Sequence, residues 1–219
     1  MCVIAVSKKG IKQPSEKDLK KMWEHNSHGG GYMSVRNGRV EIHKGFLEWA
    51  DFIRSVRMEK FTENDPVVYH FRISTQGGVN PEMTHPFPLT HKLKLMKALD
   101  VVCDIGVAHN GIIPMTTSKE EKEYSDTALF VSKYLPYLIR SVSDLQIPQI
   151  RSVIEELGSY SKFAFMDCNG NIYTVGRFYD HKGILLSNEN HLIDWSKVKA
   201  YKSFYEEKGD MNNVYSYEW

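Results

Sequence analysis

Two Asn-Gly pairs, Asn37-Gly38 and Asn169-Gly170, each sit between short runs of strand-forming residues. Asn and Gly tolerate the positive φ that a two-residue hairpin turn demands, and that turn matches the twist of paired strands. The sequence therefore predicts a hairpin of residues 32–36 with 39–44, and a second of residues 162–167 with 172–175. Such hairpins commit the chain to antiparallel sheet. A parallel, doubly wound sheet would need regular βαβ alternation, which is missing, and neither GxGxxG nor GxxxxGK[ST] occurs.

Helices fill some of the gaps. Residues 15–25 place Leu19, Met22 and Trp23 on one side, with Ser15 as the N-cap. Helical spacing returns over 47–57, over 126–137 to an end near Pro136, and over 147–157 to an end at Gly158. Residues 2–7 and 183–187 read as strands. Residues 67–73 are apolar on both faces, which predicts a central strand. Residues 104–113 read as a strand interrupted at His109-Asn110-Gly111, and residues 74–91 as a long irregular stretch. The glycine run at 29–31 breaks the first helix. The expectation is one α+β domain over residues 1–219, with helices covering stacked sheets.

Bulk properties narrow the function. A formal net charge of +1 offers no field for nucleic acid or anionic lipid, so neither is expected as a partner. No apolar run approaches the roughly 18–20 residues that span a bilayer, so no membrane association is expected either. The opening segment MCVIAVSKKG has its lysines after the apolar residues, unlike a secretory signal. Cys2, Cys103 and Cys168 are odd in number and widely spaced, which excludes a disulfide framework and a CxxC metal site. A reducing, cytoplasmic location is the simpler expectation. The nine histidines are scattered, without HExxH spacing, and no metal is expected.

Cys2 stands immediately after Met1, and removal of that methionine would make it the first residue. A leading cysteine carries a nucleophile and a base together. Its thiol has a reference pKa near ~8.5 and its α-amine one near ~7.7–8.0, so the amine is partly unprotonated at neutral pH. It can take the thiol proton directly or through one water. With Met1 retained, the same nitrogen is an amide and the base is lost. The alternative is a cysteine simply packed at the start of a buried strand.

Thiolate attack on an amide generates an oxyanion, and one stabilising donor is worth about 2.7–4 kcal/mol. Asn110 can supply a side-chain N–H and Gly111 a backbone N–H, or the pair is a simple turn. Arg72 ends a strand beside Ser74, Thr75, Gly77 and Gly78, a setting suited to two-point capture of a carboxylate, with Thr75 adding a hydroxyl. Asp126 either caps the following helix or pairs with a ligand ammonium. Together these groups match the carboxylate, ammonium and amide of glutamine.

At these residues the sequence resembles the class II glutamine amidotransferases, which belong to the N-terminal-nucleophile hydrolases. Met1-Cys2 and the apolar residues after it are similar to the family's processed start. His70-Phe71-Arg72-Ile73-Ser74-Thr75 resembles its HxRxxT segment, and Asn80 through His85-Pro86-Phe87 its HPF stretch. Ala108-His109-Asn110-Gly111 resembles its oxyanion segment, and Ser125-Asp126-Thr127 its SD[ST] helix start. An Arg-Gly motif that better-known members carry is absent around residues 26–31.

The resemblance implies a four-layer α/β/β/α sandwich of antiparallel sheets. It implies Cys2 as nucleophile and base, Asn110 with Gly111 as the oxyanion hole, and Arg72, Thr75 and Asp126 as glutamine binders. No cofactor is implied for the glutaminase half-reaction. Members usually carry a fused synthase domain, and 219 residues leave no room for one. The expectation is a stand-alone glutaminase feeding ammonia to a separate synthase; the aromatic tail from Tyr201 to Trp219 either packs as a terminal strand or helix on its own core, the simpler reading, or docks that synthase. Rival readings are a free-standing amidohydrolase on a γ-glutamyl amide, and a catalytically silent binding module.

Overall fold

The structure is a computed structural model that describes residues 2–73, 79–115, 118 and 121–193. The chain divides into two compact units, residues 1–188 and 189–219. The first holds both sheets. Within the second, Asn190–Leu192 form a single 3-10 turn. Thr75 and the aromatic tail lie outside the described residues.

Among the described residues, eleven strands form two sheets whose pairings are all antiparallel. The seven-stranded sheet contains β1 (Val3–Ser7), β2 (Gly30–Arg36), β3 (Arg39–Phe46), β4 (Val67–Phe71), β6 (Asp100–Cys103), β10 (Tyr179–His181) and β11 (Ile184–Leu186), in the order β10-β11-β1-β4-β2-β3-β6. The four-stranded sheet runs β5 (Phe87–Pro88), β7 (Ile105–Asn110), β8 (Lys162–Asp167) and β9 (Ile172–Val175). The hairpin turn between β2 and β3 is built as the sequence predicts: Asn37 at φ 52° and Gly38 at φ 70° both take the left-handed conformation. β4 lies fourth among the seven strands, in agreement with its two apolar faces.

Strand alternation decides what each sheet face buries. Ile4, Val6, Met33 and Val68 from the larger sheet share one apolar cluster with Ala108, Ala164 and Met166 from the smaller. The sheets therefore meet face to face. On the alternate face of the larger sheet, Tyr32, Tyr69 and Phe71 meet α1 (Glu16–His25) and α2 (Trp49–Glu59). Phe52 is central there, with ring centroids 5.0 Å from Phe71 and 5.7 Å from Trp23. Aromatic pairs of this kind add about 0.5–1.5 kcal/mol each beyond their burial. Ser15 caps α1 by accepting the Asp18 N–H, as expected.

The smaller sheet buries a second cluster, in which Phe87, Val107, Phe163 and Phe165 pack with Ala128, Phe130, Val131 and Ile154. Those last four belong to α3 (Asp126–Lys133) and α5 (Pro148–Leu157).

Several expectations need correction. The helix read over 126–137 is two, because α3 stops at Tyr134 and a short α4 (Leu135–Leu138) restarts with Pro136 in its first turn, where a missing N–H costs nothing. β7 runs through His109 and ends at Asn110, just before Gly111, so the predicted interruption is the strand's end. The stretch read as irregular contains a 3-10 turn at Pro81–Met83 and the two-residue β5. Gly30 and Gly31 belong to β2. A Cβ on Gly31 would fall 2.4 Å from the His85 carbonyl oxygen, so glycine is required by close approach. β6 and β10 were not anticipated; both are edge strands of three or four residues, too short for a clear period.

Candidate functional site

Register brings the predicted residues together. Val3 pairs with Phe71 across β1 and β4, so Cys2 and Arg72 fall at the same end of neighbouring strands. Even-numbered residues of both strands, such as Ile4, Val6 and Val68, face the smaller sheet. Cys2 and Arg72 continue that parity. The Ile73 N–H donates to Cys2 Sγ at 3.4 Å, and the thiol in turn donates to the Ile73 carbonyl at 3.6 Å. On its other flank the Cys2 carbonyl accepts from Asn188 Nδ2 at 2.6 Å.

Charges couple across this end of the sheet. Burial pushes the Cys2 thiol up, opposed by the Ile73 N–H and the nearby Arg72 charge. Burial pulls the Arg72 guanidinium down, opposed by Cys2 and by Asp126. Arg72 thus lies within electrostatic reach of both Cys2 and Asp126. The Arg72 backbone is fixed by the glycine segment: its N–H donates to the Gly29 carbonyl at 2.7 Å, and its carbonyl accepts the His28 N–H at 3.0 Å.

Asp126 is not the helix cap. Ser125 takes that place, its side chain accepting the Ala128 N–H. The Asp126 carboxylate instead accepts the Ile113 N–H at 2.8 Å and the Thr127 N–H at 2.7 Å. It therefore ties the loop after Asn110-Gly111 to the start of α3.

Asn110 ends β7 with its side chain buried. Its Nδ2 donates to Ser187 Oγ at 2.8 Å, and the same oxygen accepts the Ile4 N–H at 2.8 Å. Asn110 Oδ1 is buried with no hydrogen-bond partner among the described residues. Gly111 follows at φ 155°, and a Cβ there would lie 2.1 Å from Ser161 Oγ. Asn110 is thus joined to the strand that follows Cys2, with Gly111 next along the chain.

Three buried histidines hold this arrangement, and the sequence reading gave them no role. His70 Nε2 and His85 Nδ1 each lie 3.0 Å from the His109 carbonyl, and His109 Nδ1 lies 2.8 Å from Thr127 Oγ1. His70 precedes Arg72 by two residues, and His109 precedes Asn110. The hydrogen bond between them therefore sets the spacing of Arg72 and Asn110 across the two sheets. Burial lowers His70 and His109 to about 3 and His85 well below its ordinary value, so all three are neutral. Among the described residues no group of three His, Cys, Asp or Glu side chains is placed to hold a metal ion. Two surface hollows, one lined by Glu16, Trp49 and Arg57 and the other by Lys8, Gln146 and Tyr173, share no residue with this site.

Ser187 and Asn188 were also not singled out. The strand signal over 183–187 marks their position, but only the pairing of β11 with β1 brings them to Cys2 and Asn110.

No protein-family model matches the chain, and no curated protein matches it in sequence. Among solved structures it is similar to the glutamine phosphoribosylpyrophosphate (PRPP) amidotransferase from B. subtilis complexed with ADP and GMP. The identity is 13% and the TM-score 0.49, over 88% of this chain and 43% of that one. The chain thus corresponds to less than half the length of that protein.

Proposed function

We propose that this chain hydrolyses the side-chain amide of glutamine to glutamate and ammonia, with Cys2 as an N-terminal nucleophile after loss of Met1. The observation that supports the reading is that Arg72 lies within electrostatic reach of both Cys2 and Asp126, with Asn110 joined through Ser187 to the strand that follows Cys2. One nucleophile, one cation, one carboxylate and an amide donor match the four polar features of glutamine. The arrangement is read as the four-layer α/β/β/α sandwich of an N-terminal-nucleophile hydrolase.

In this mechanism the Cys2 α-amine removes the thiol proton and Sγ attacks the glutamine amide carbon. The oxyanion is held by Asn110 Nδ2 and the Gly111 N–H. Collapse breaks the C–N bond, and the α-ammonium returns the proton to the departing ammonia. Water, activated by the same amine, then cleaves the thioester to release glutamate and the free thiol. Arg72 grips the substrate α-carboxylate and Asp126 its α-ammonium, with Thr75 assigned to the same pocket on the resemblance alone. In this reading the released ammonia is passed on to a partner synthase.

A second reading has a specific observation behind it. The part-buried thiol is hydrogen-bonded to Ile73, and desolvation raises its pKa, which favours a resting or silent state. One assay separates the readings. Ammonia release from glutamine is expected from the protein with Met1 removed, is lost in Cys2→Ala, and persists in Cys103→Ala and Cys168→Ala. Absence of turnover in the processed protein favours the silent module. Equal loss at all three cysteines removes Cys2 from the mechanism.

A further inference from the structure

Ser187 is completely buried and stands one residue beyond the ladder of β11 with β1. Its backbone N–H donates to the Ile4 carbonyl at 3.0 Å, while its hydroxyl oxygen accepts the Ile4 N–H at 2.8 Å. That leaves one lone pair, and Asn110 Nδ2 donates to it at 2.8 Å. A single oxygen therefore joins β1, which follows Cys2, to the side-chain amide at the end of β7.

The partnerless Asn110 Oδ1 gives this bond its consequence. A side-chain amide turns about its terminal torsion between two broad, roughly two-fold related orientations. In the structure the Ser187 hydroxyl oxygen, which also accepts the Ile4 N–H, takes an Nδ2 proton of Asn110, and this bond holds the amide with Nδ2 toward Ser187. With one Nδ2 proton committed to Ser187, the second projects from the opposite side of the nitrogen in a fixed direction. Oxyanion stabilisation works through donors aimed before the charge forms.

Resting on the proposed amidase reading, we infer that Ser187 is a positioning residue: its hydroxyl holds the Asn110 amide with a free N–H turned toward the oxyanion formed at Cys2. It touches neither substrate nor reacting atoms.

The test is a double-mutant cycle on glutamine turnover. Removing an oxyanion donor costs about 10²–10³-fold in kcat, so disorienting one through Ser187→Ala is expected to lower kcat roughly 10- to 100-fold, with KM nearly unchanged. In an Asn110→Ala background the same change is expected to have no further effect on kcat. Ser187→Thr, which keeps the hydroxyl, recovers most of the loss. A wild-type kcat in Ser187→Ala overturns the inference, as does an equal loss with and without Asn110, which marks a purely structural role. Should Ser187→Ala fail to fold, the wild-type protein carries the test by NMR. One Asn110 side-chain N–H is expected to exchange with solvent far more slowly than exposed amides, and fast exchange of both protons overturns the inference. No turnover in wild type instead strikes the amidase reading, so the two failures are distinct.

Discussion

Gly111→Ala tests whether the backbone after Asn110 is held where the chemistry requires. The new Cβ would stand 2.1 Å from Ser161 Oγ and 2.6 Å from Ser161 Cβ, with His109 Nε2 at 3.2 Å. Real Cβ atoms do not approach closer than about 3.0 Å, so either Ser161 or the Gly111 peptide must move by about 1 Å. Ser161 is buried at 5% exposure and directly precedes β8, so the exposed glycine loop yields first. A misplacement of about 1 Å in a reacting geometry costs about 10²-fold, close to the loss of a whole oxyanion donor. The expected result is a kcat about 10²-fold lower, little change in KM, and about 1–3 kcal/mol of overpacking strain. For a chain of this size that strain lowers Tm by roughly 2–12 °C. Ammonia release under saturating glutamine gives kcat, and thermal melting gives the stability. Adding Ser161→Gly removes the two nearest atoms and is expected to restore at least part of the rate. A Gly111→Ala protein with wild-type kcat refutes the reasoning.

Other consequences are open to direct measurement. Arg72→Lys replaces a planar two-point donor with a point charge, so the KM for glutamine is expected to rise about tenfold with a smaller effect on kcat; an unchanged KM removes Arg72 from the pocket. His70 and His109 are held near 3 by burial, below the ~6.5 of an unfolded histidine, so the unfolded chain binds more protons between those values. Their burial as neutral rings therefore carries no protonation penalty above about pH 6.5 and destabilises the fold increasingly as pH drops toward 3. A Tm that stays flat from pH 6.5 to 4.5 contradicts neutral burial. Asp126→Asn removes the charge facing Arg72 and turns an acceptor of the Ile113 or Thr127 N–H into a donor. Glutamine KM is expected to rise at least tenfold, and a KM equal to wild type detaches Asp126 from substrate binding.

The elements that local chemistry specifies were legible in the sequence. The Asn37-Gly38 turn, the Ser15 cap and the Gly158 stop each act within a few residues, and each appears where it was read. Cys2, Arg72, Asn110, Gly111 and Asp126 were read from the sequence as candidate groups; the fold sets Arg72 within electrostatic reach of Cys2 and Asp126 and bonds Asn110 to Ser187. What the sequence hid depends on register between distant strands. His70 reaches the His109 carbonyl across 39 positions and Ser187 reaches Asn110 across 77. No local period reports such contacts. The role of Asp126 in tying down the loop at Ile113 was hidden for the same reason, because a residue at a helix start looks alike whether or not its carboxylate reaches another segment. The short edge strands β6 and β10 escaped because three or four residues carry too little alternation to be seen.

The measurement closest to the centre of this account is a mass spectrum of the protein after reaction with a diazo-ketone glutamine analogue. One adduct is predicted, on the sulfur of a cysteine whose own amine is the chain terminus, with ammonia release extinguished in proportion to labelling. An adduct on Cys103 or Cys168, or full labelling of Cys2 with Met1 still attached, would contradict it.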